Sequence, residues 1–298
     1  MKWNLLRRSE NVEDRRGIRT PLIVGGGLGG ILIAIVITLL GGDPSVILQG
    51  NNPNAQAPSS GKSRTSNGAP QNSAENTLAD FSSHILGSTE DVWTAEFKQR
   101  GETYTRPHLV LFTDAVQSAC GRAGAAVGPF YCPLDQRLYI DLSFYQLLKS
   151  RLGAPGDFAQ AYVVAHEIGH HLQNLTGALQ RADQLKARLQ NQADANKVQV
   201  LVELQADCYA GVWAERVKKQ GNILDEGDLE EALVAASRIG DDVLQQEARG
   251  RVVPNSFTHG SAQQRRMWLE KGMREGELAS CDTFKNNTQF AEIRNQKF

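Results

Sequence analysis

The stretch His166-Glu167-Ile168-Gly169-His170 constrains this chain more than any other. It lies in an apolar pattern of helical period, carried by Phe158, Tyr162, Val163, Ala165, Ile168 and Leu172, with Asp157 placed as an N-cap. Residues four apart on a helix share one face, so His166 and His170 can turn both imidazoles toward one ion. Zinc accepts imidazole nitrogen and keeps one position open in catalytic sites. Glu167 is then placed to take a proton from a metal-activated water rather than to bind the metal. His171 turns away from this face and is left outside the ligand set. The helical setting and a downstream third ligand separate the motif from a chance match.

Two histidines need one more protein ligand. A metzincin pattern would require Gly at 173 and His at 176, and the chain has Gln173 and Thr176. A glutamate from a later helix is the other solution, and Glu203 fits it. Asp207 lies one turn on, placed to accept the Nδ1 proton of a ligating histidine. The neighbours Leu201, Val202, Leu204, Ala206, Tyr209, Ala210 and Trp213 predict a largely buried helix. Two buried carboxylates on one face need partners, which a metal and a histidine supply. For His259, in the loop Ser256-Phe257-Thr258-His259-Gly260-Ser261, two readings stand. It hydrogen-bonds a developing oxyanion, or it packs beside a Thr258 or Ser261 helix cap. The four cysteines, Cys120, Cys132, Cys208 and Cys281, allow three disulfide pairings. Cys120 with Cys132 is the pair nearest along the chain and leaves Cys208 with Cys281.

The 298 residues are 41% hydrophobic and 22% charged, with net charge -1, which gives no electrostatic footprint for nucleic acid. The distribution is uneven. Residues 1–20 are polar and basic. No charge occurs from Pro21 to Gly42, a run long enough to cross a bilayer as a helix. Arginines precede this run closely, and no Lys or Arg follows until Lys62. The positive-inside rule then predicts an uncleaved signal anchor over 21–42. It leaves 1–20 as a cytoplasmic tail and the domain in the periplasm or outside the cell, on a single-pass inner-membrane protein. Gly-x-x-x-Gly spacings in the run permit helix pairing without fixing an oligomeric state. Residues 43–76, rich in Asn, Pro, Gly, Ser and Gln, read as a flexible linker.

The domain over 77–298 reads as α+β and mainly helical. A helix is expected over Leu78 to Arg100, and short strands over 108–112, 126–131 and 137–142 form a small sheet before the His166 helix. Helices follow over 179–196, 198–219, 228–246 and 262–271, the third opened by an Asp228/Glu231 capping box.

Together these segments resemble a bacterial family of neutral zinc metallopeptidases. The resemblance is carried by Lys2-Trp3, Arg7-Arg8-Ser9, Asn11 through Gly17, Gly128 through Pro133, Tyr139 through Leu142, and Gly156-Asp157-Phe158. His166 through His171, Gln205 through Trp213 and Phe257 through Ser261 complete it. It implies a zincin-like catalytic domain behind the transmembrane helix, with a gluzincin-like Glu203/Asp207 second motif. The combined expectation is an endopeptidase with one Zn2+ per chain held by His166, His170 and Glu203. Glu167 acts as general base on a peptide or protein substrate. The rivals are a membrane-anchored scaffold or chaperone-like module with a non-catalytic zinc, and zinc-dependent hydrolysis of a non-peptide bond.

Overall fold

The computed structural model describes residues 1–17, 73–124 and 127–285. In chain order, the strand β1 (Val12–Asp14) is followed by α1 (Ser73–Gln99), β2 (His108–Phe112), β3 (Ala115–Ser118), β4 (Gly121–Gly124), β5 (Phe130–Cys132) and β6 (Arg137–Asp141). Then come α2 (Ser143–Ser150), α3 (Asp157–Leu175), α4 (Ala178–Arg188), α5 (Gln192–Lys219), α6 (Asp228–Arg238), α7 (Asp241–Arg249) and α8 (Ala262–Glu275).

α3 runs through the core. Its residues from Phe158 to Gln173 are buried with the single exception of Gln160, so its polar side chains meet protein rather than water. α5 and α6 pack on it, with α1 on a further face. α5 can come close because position 169 is glycine. A Cβ there would stand 2.8 Å from the Ala206 Cα, inside van der Waals contact. α8 crosses α5 as closely, with Gly272 set against the backbone of Cys208 and Gly211 against that of Leu269. α8 starts at a capping box in which Ser261 accepts from the Gln264 N–H and the Gln264 side chain accepts from the Ser261 N–H.

The sheet has the order β1-β2-β6-β5, with β5 antiparallel and the other neighbours parallel. β3 and β4 form a separate hairpin. Its turn is tied to β5 by the Cys120–Cys132 disulfide, while Cys208–Cys281 ties the C-terminal segment to α5.

Local boundaries differ from the sequence expectation for identifiable reasons. The N-cap of α3 is Gly156, and the Phe158 N–H is satisfied by Glu231 from α6. Glu231 is therefore not in a capping box, and Gly227 precedes α6. The helix expected over 228–246 breaks at Gly240 into α6 and α7. There the Asp241 N–H is drawn off to the Gly260 carbonyl, and the Asp241 carboxylate accepts from three loop N–H groups. The helix expected over 179–196 breaks at Leu189, and Asn191 caps α5 by accepting from the Asp194 N–H.

The expected single-pass anchor is overturned by residues 1–17. One crossing over 21–42 would leave the tail and the domain on opposite faces of a bilayer. The structure instead places them in one sheet and one core. β1 pairs with β2, where the Leu109 N–H donates to the Asn11 carbonyl and the Arg15 N–H to the Leu111 carbonyl. Leu6 is buried in the main core. Glu90, fully buried on α1, accepts from the Arg7 guanidinium, the Ser9 hydroxyl and the Asn11 amide. Among the described tail residues, Arg7 pairs with Glu90 and Asp91, Arg15 with Glu13, and Arg16 with Asp14. The inner-membrane topology with a cytoplasmic N-terminus and an external domain therefore falls. Among the described residues no helix is long and apolar enough to cross a membrane. The run 21–42 and nearly all of the linker expected over 43–76 lie outside the described residues.

Gly169→Ala is expected to destabilise the protein by about 1–3 kcal/mol through overpacking against α5. Denaturant unfolding measures this, and an alanine variant as stable as the parent would contradict the close approach.

Candidate active site

His166 and His170 project from the face of α3 that meets α5. Glu203, on α5, points one oxygen between them. Its Oε2 lies 3.2 Å from His166 Nε2 and 3.5 Å from His170 Nε2. Two donors each about 2.0–2.1 Å from a tetrahedral zinc stand roughly 3.3 Å apart, so this spacing fits that ion. All three residues are buried. The two imidazole planes stand at 89° to each other, with ring centroids 4.8 Å apart. His170 Nε2 is buried and has no hydrogen-bond partner, although it faces a carboxylate oxygen. Two imidazole nitrogens and a carboxylate oxygen converging in this way form a donor set that suits a divalent metal.

Each ligand is held from behind by a further side chain. Asp207 Oδ1 is 2.8 Å from His166 Nδ1, which keeps Nε2 turned toward Glu203. Asp207 is itself gripped through both oxygens by the fully buried Arg265 of α8, and Tyr162 donates to it at 2.6 Å. Gln199 donates to the other Glu203 oxygen, Oε1, which leaves Oε2 as the one facing the histidines. Gln173 sits against His170 Nδ1.

This packing sets the charge states. Burial works to raise the Asp207 carboxyl, but Arg265 and His166 overcome it and hold it at about 2. Glu203 is kept well below the carboxylate range, since His170 and His166 outweigh its burial. Burial opposes the charged form of His166 as well, yet Asp207 and Glu203 lift it to about 9 in the metal-free protein.

Glu167 is different. It is fully buried, and neither of its oxygens has a hydrogen-bond partner. Burial raises its pKa, with His170 and His166 opposing. His259 is also buried. Its ring Nδ1 is 3.3 Å from Asp241 Oδ1, and its N–H donates to Asp241 Oδ2 at 2.7 Å. Burial would lower its pKa, but Asp241 and then the Glu203 charge raise it. Of the two readings of its loop, the packing one is seen, since Ser261 caps α8 and His259 is held by Asp241. His171 is turned elsewhere, between Tyr131 and the Thr105 carbonyl, and burial holds it down at about 4.

Sequence reasoning missed Arg265, Tyr162, Asp241, Gln199 and Gln173. Tyr162, four residues before His166, and Gln199, four before Glu203, carried a spacing signal. Gln173 lies three after His170. Arg265 and Asp241 carried none, since only the tertiary fold brings them in.

A family profile described as "Putative neutral zinc metallopeptidase" matches residues 1–284. The chain belongs to that family. It is 46% identical over 294 residues to "Uncharacterized protein YpfJ" of Escherichia coli K12, covering 95% of this chain and 99% of the relative. It is 47% identical over 191 residues to "Uncharacterized protein Mb2605" of Mycobacterium bovis, covering 61% of this chain and 63% of that one. No solved structure matches. Membership in the family implies zinc, and His166, His170 and Glu203 form a possible site for it.

The raised His166 pKa fixes a pH dependence. Its proton stabilises the metal-free fold fully below about 6.5, and that contribution is lost as pH rises through about 9. A metal must displace this proton. Zinc uptake near neutral pH is therefore expected to release a proton, with apparent affinity rising about tenfold per pH unit until His166 deprotonates. Calorimetry in buffers of different ionisation enthalpy counts the protons. Uptake without proton release and with flat affinity would contradict the assignment.

Proposed function

We propose that this protein is a zinc-dependent endopeptidase that uses His166, His170 and Glu203 as metal ligands and Glu167 as general base. The observation that carries the reading is Glu167. A buried carboxylate without a single hydrogen bond is costly, and a site that served only to hold metal would have no use for it. That consideration counts against the scaffold reading.

Zinc at this position supplies a lowered water pKa and a polarised scissile carbonyl. The remaining steps belong to the chain. Glu167 takes a proton from the attacking water and passes it to the leaving amine. Its upward-shifted pKa favours it holding that proton in between. Asp207, itself held by Arg265 and Tyr162, fixes His166 with Nε2 directed inward. His259, oriented by Asp241, donates to the oxyanion that develops on the carbonyl. A peptide or protein chain is the substrate class. The two disulfides suit a compartment that is oxidising.

Glu167→Gln is expected to retain zinc and lose about 10²–10⁴-fold in casein hydrolysis. His259→Ala is expected to retain zinc and lose about 10²–10³-fold in kcat. Metal analysis and turnover are read on the same preparations. Wild-type turnover in the glutamine variant would remove the base assignment, and wild-type turnover in the alanine variant would remove the oxyanion role.

A further inference from the structure

The two histidine ligands are supported differently. His166 leans on a carboxylate, whereas His170 leans on an amide. The His170 Nδ1 lies 2.8 Å from Gln173 Oε1. Gln173 Nε2 lies 2.7 Å from the Val202 carbonyl oxygen and 3.0 Å from Gln205 Oε1. Gln205 Nε2 lies 3.1 Å from the Cys281 carbonyl oxygen. Gln173 and Gln205 are both buried, so their amide groups depend on these protein partners.

The direction of this chain follows from its two backbone carbonyls. A carbonyl oxygen only accepts. The Val202 oxygen must therefore face the amide nitrogen of Gln173, and the Cys281 oxygen that of Gln205. With both amides so oriented, Gln205 Oε1 accepts from Gln173, and Gln173 Oε1 is left facing His170. An oxygen at that place demands a hydrogen on His170 Nδ1, and the ring's lone pair is then on Nε2. That is the atom buried without a partner opposite Glu203 Oε2. Reversing either amide would set two acceptor oxygens against each other in a dry interior, which is costly. The far end is anchored, since Cys281 is fully buried and joined to Cys208 on α5.

We infer that Gln173 and Gln205 form an amide relay that writes the tautomer of His170, with Gln173 as the positioning residue for that ligand. The inference rests on the zinc site proposed above, but the tautomer is a property of the metal-free chain. It also explains why a glutamine serves at 173. A carboxylate there would accept from His170 but could not donate to the Val202 carbonyl.

The test uses the full chain labelled with 15N-histidine. Long-range 1H–15N spectra of the metal-free protein, at a pH where the His170 ring is neutral, are expected to show hydrogen on Nδ1. Gln173→Leu is expected to lose that preference and to weaken zinc binding about 10–100-fold in chelator competition. Gln205→Ala is expected to shift both readouts in the same direction by less. A purely structural glutamine would lower the melting temperature while leaving the His170 spectrum and zinc affinity of the folded protein unchanged, and that result would overturn the relay. So would hydrogen on Nε2 in the wild-type protein, which needs no variant to fold. Failure of wild-type protein to bind zinc, with the Nδ1 tautomer present, would count against the metal site and leave the relay standing.

Discussion

The site depends on how closely three helices approach one another. At Gly169 the backbone of α3 meets Ala206 of α5, and at Gly211 and Gly272 the backbone of α5 meets α8. Any side chain at these positions would push the helices apart. With them together, Glu203 reaches between His166 and His170, and Arg265 reaches Asp207 from the far side. The same closeness excludes water, so every charge in the cluster needs a protein partner or a metal. Asp207 has three such partners, Glu203 has Gln199 and His166, and Glu167 has none. Charge compensation and its one conspicuous gap therefore come from a single packing constraint.

The N-terminal segment illustrates the same compensation at the edge of the fold. Its arginines, glutamates and aspartates look like a soluble tail when counted along the chain. In space they close on one another and on Glu90, and β1 adds a parallel strand to the sheet. Charge counting assumes free charges, and these are neutralised locally. That is why the positive-inside rule pointed to a topology which the folded body does not permit.

What was legible in the sequence followed from local periodicity. The α3 pattern, the four-residue spacing of His166 and His170, and the same spacing of Glu203 and Asp207 lie within single helices, where spacing fixes the shared face. The strands over 108–112 and 137–142 were legible for the same reason, being short apolar runs that correspond to β2 and β6. Contacts that close over long separations left no trace. Arg265 is 58 residues from Asp207, and Asp241 acts on a loop 18 residues away. The break at Gly240 was invisible because the groups that compete for its helix hydrogen bonds come from the 258–260 loop.

Zinc K-edge X-ray absorption on the purified full chain reads the ligand set itself. One zinc per chain is expected, with two imidazole nitrogens and oxygen scatterers at about 2.0–2.2 Å and no sulfur shell. One imidazole contribution is expected to disappear in His170→Ala. A sulfur shell at about 2.3 Å, or a spectrum unchanged by that substitution, would place the metal elsewhere and contradict the site described here.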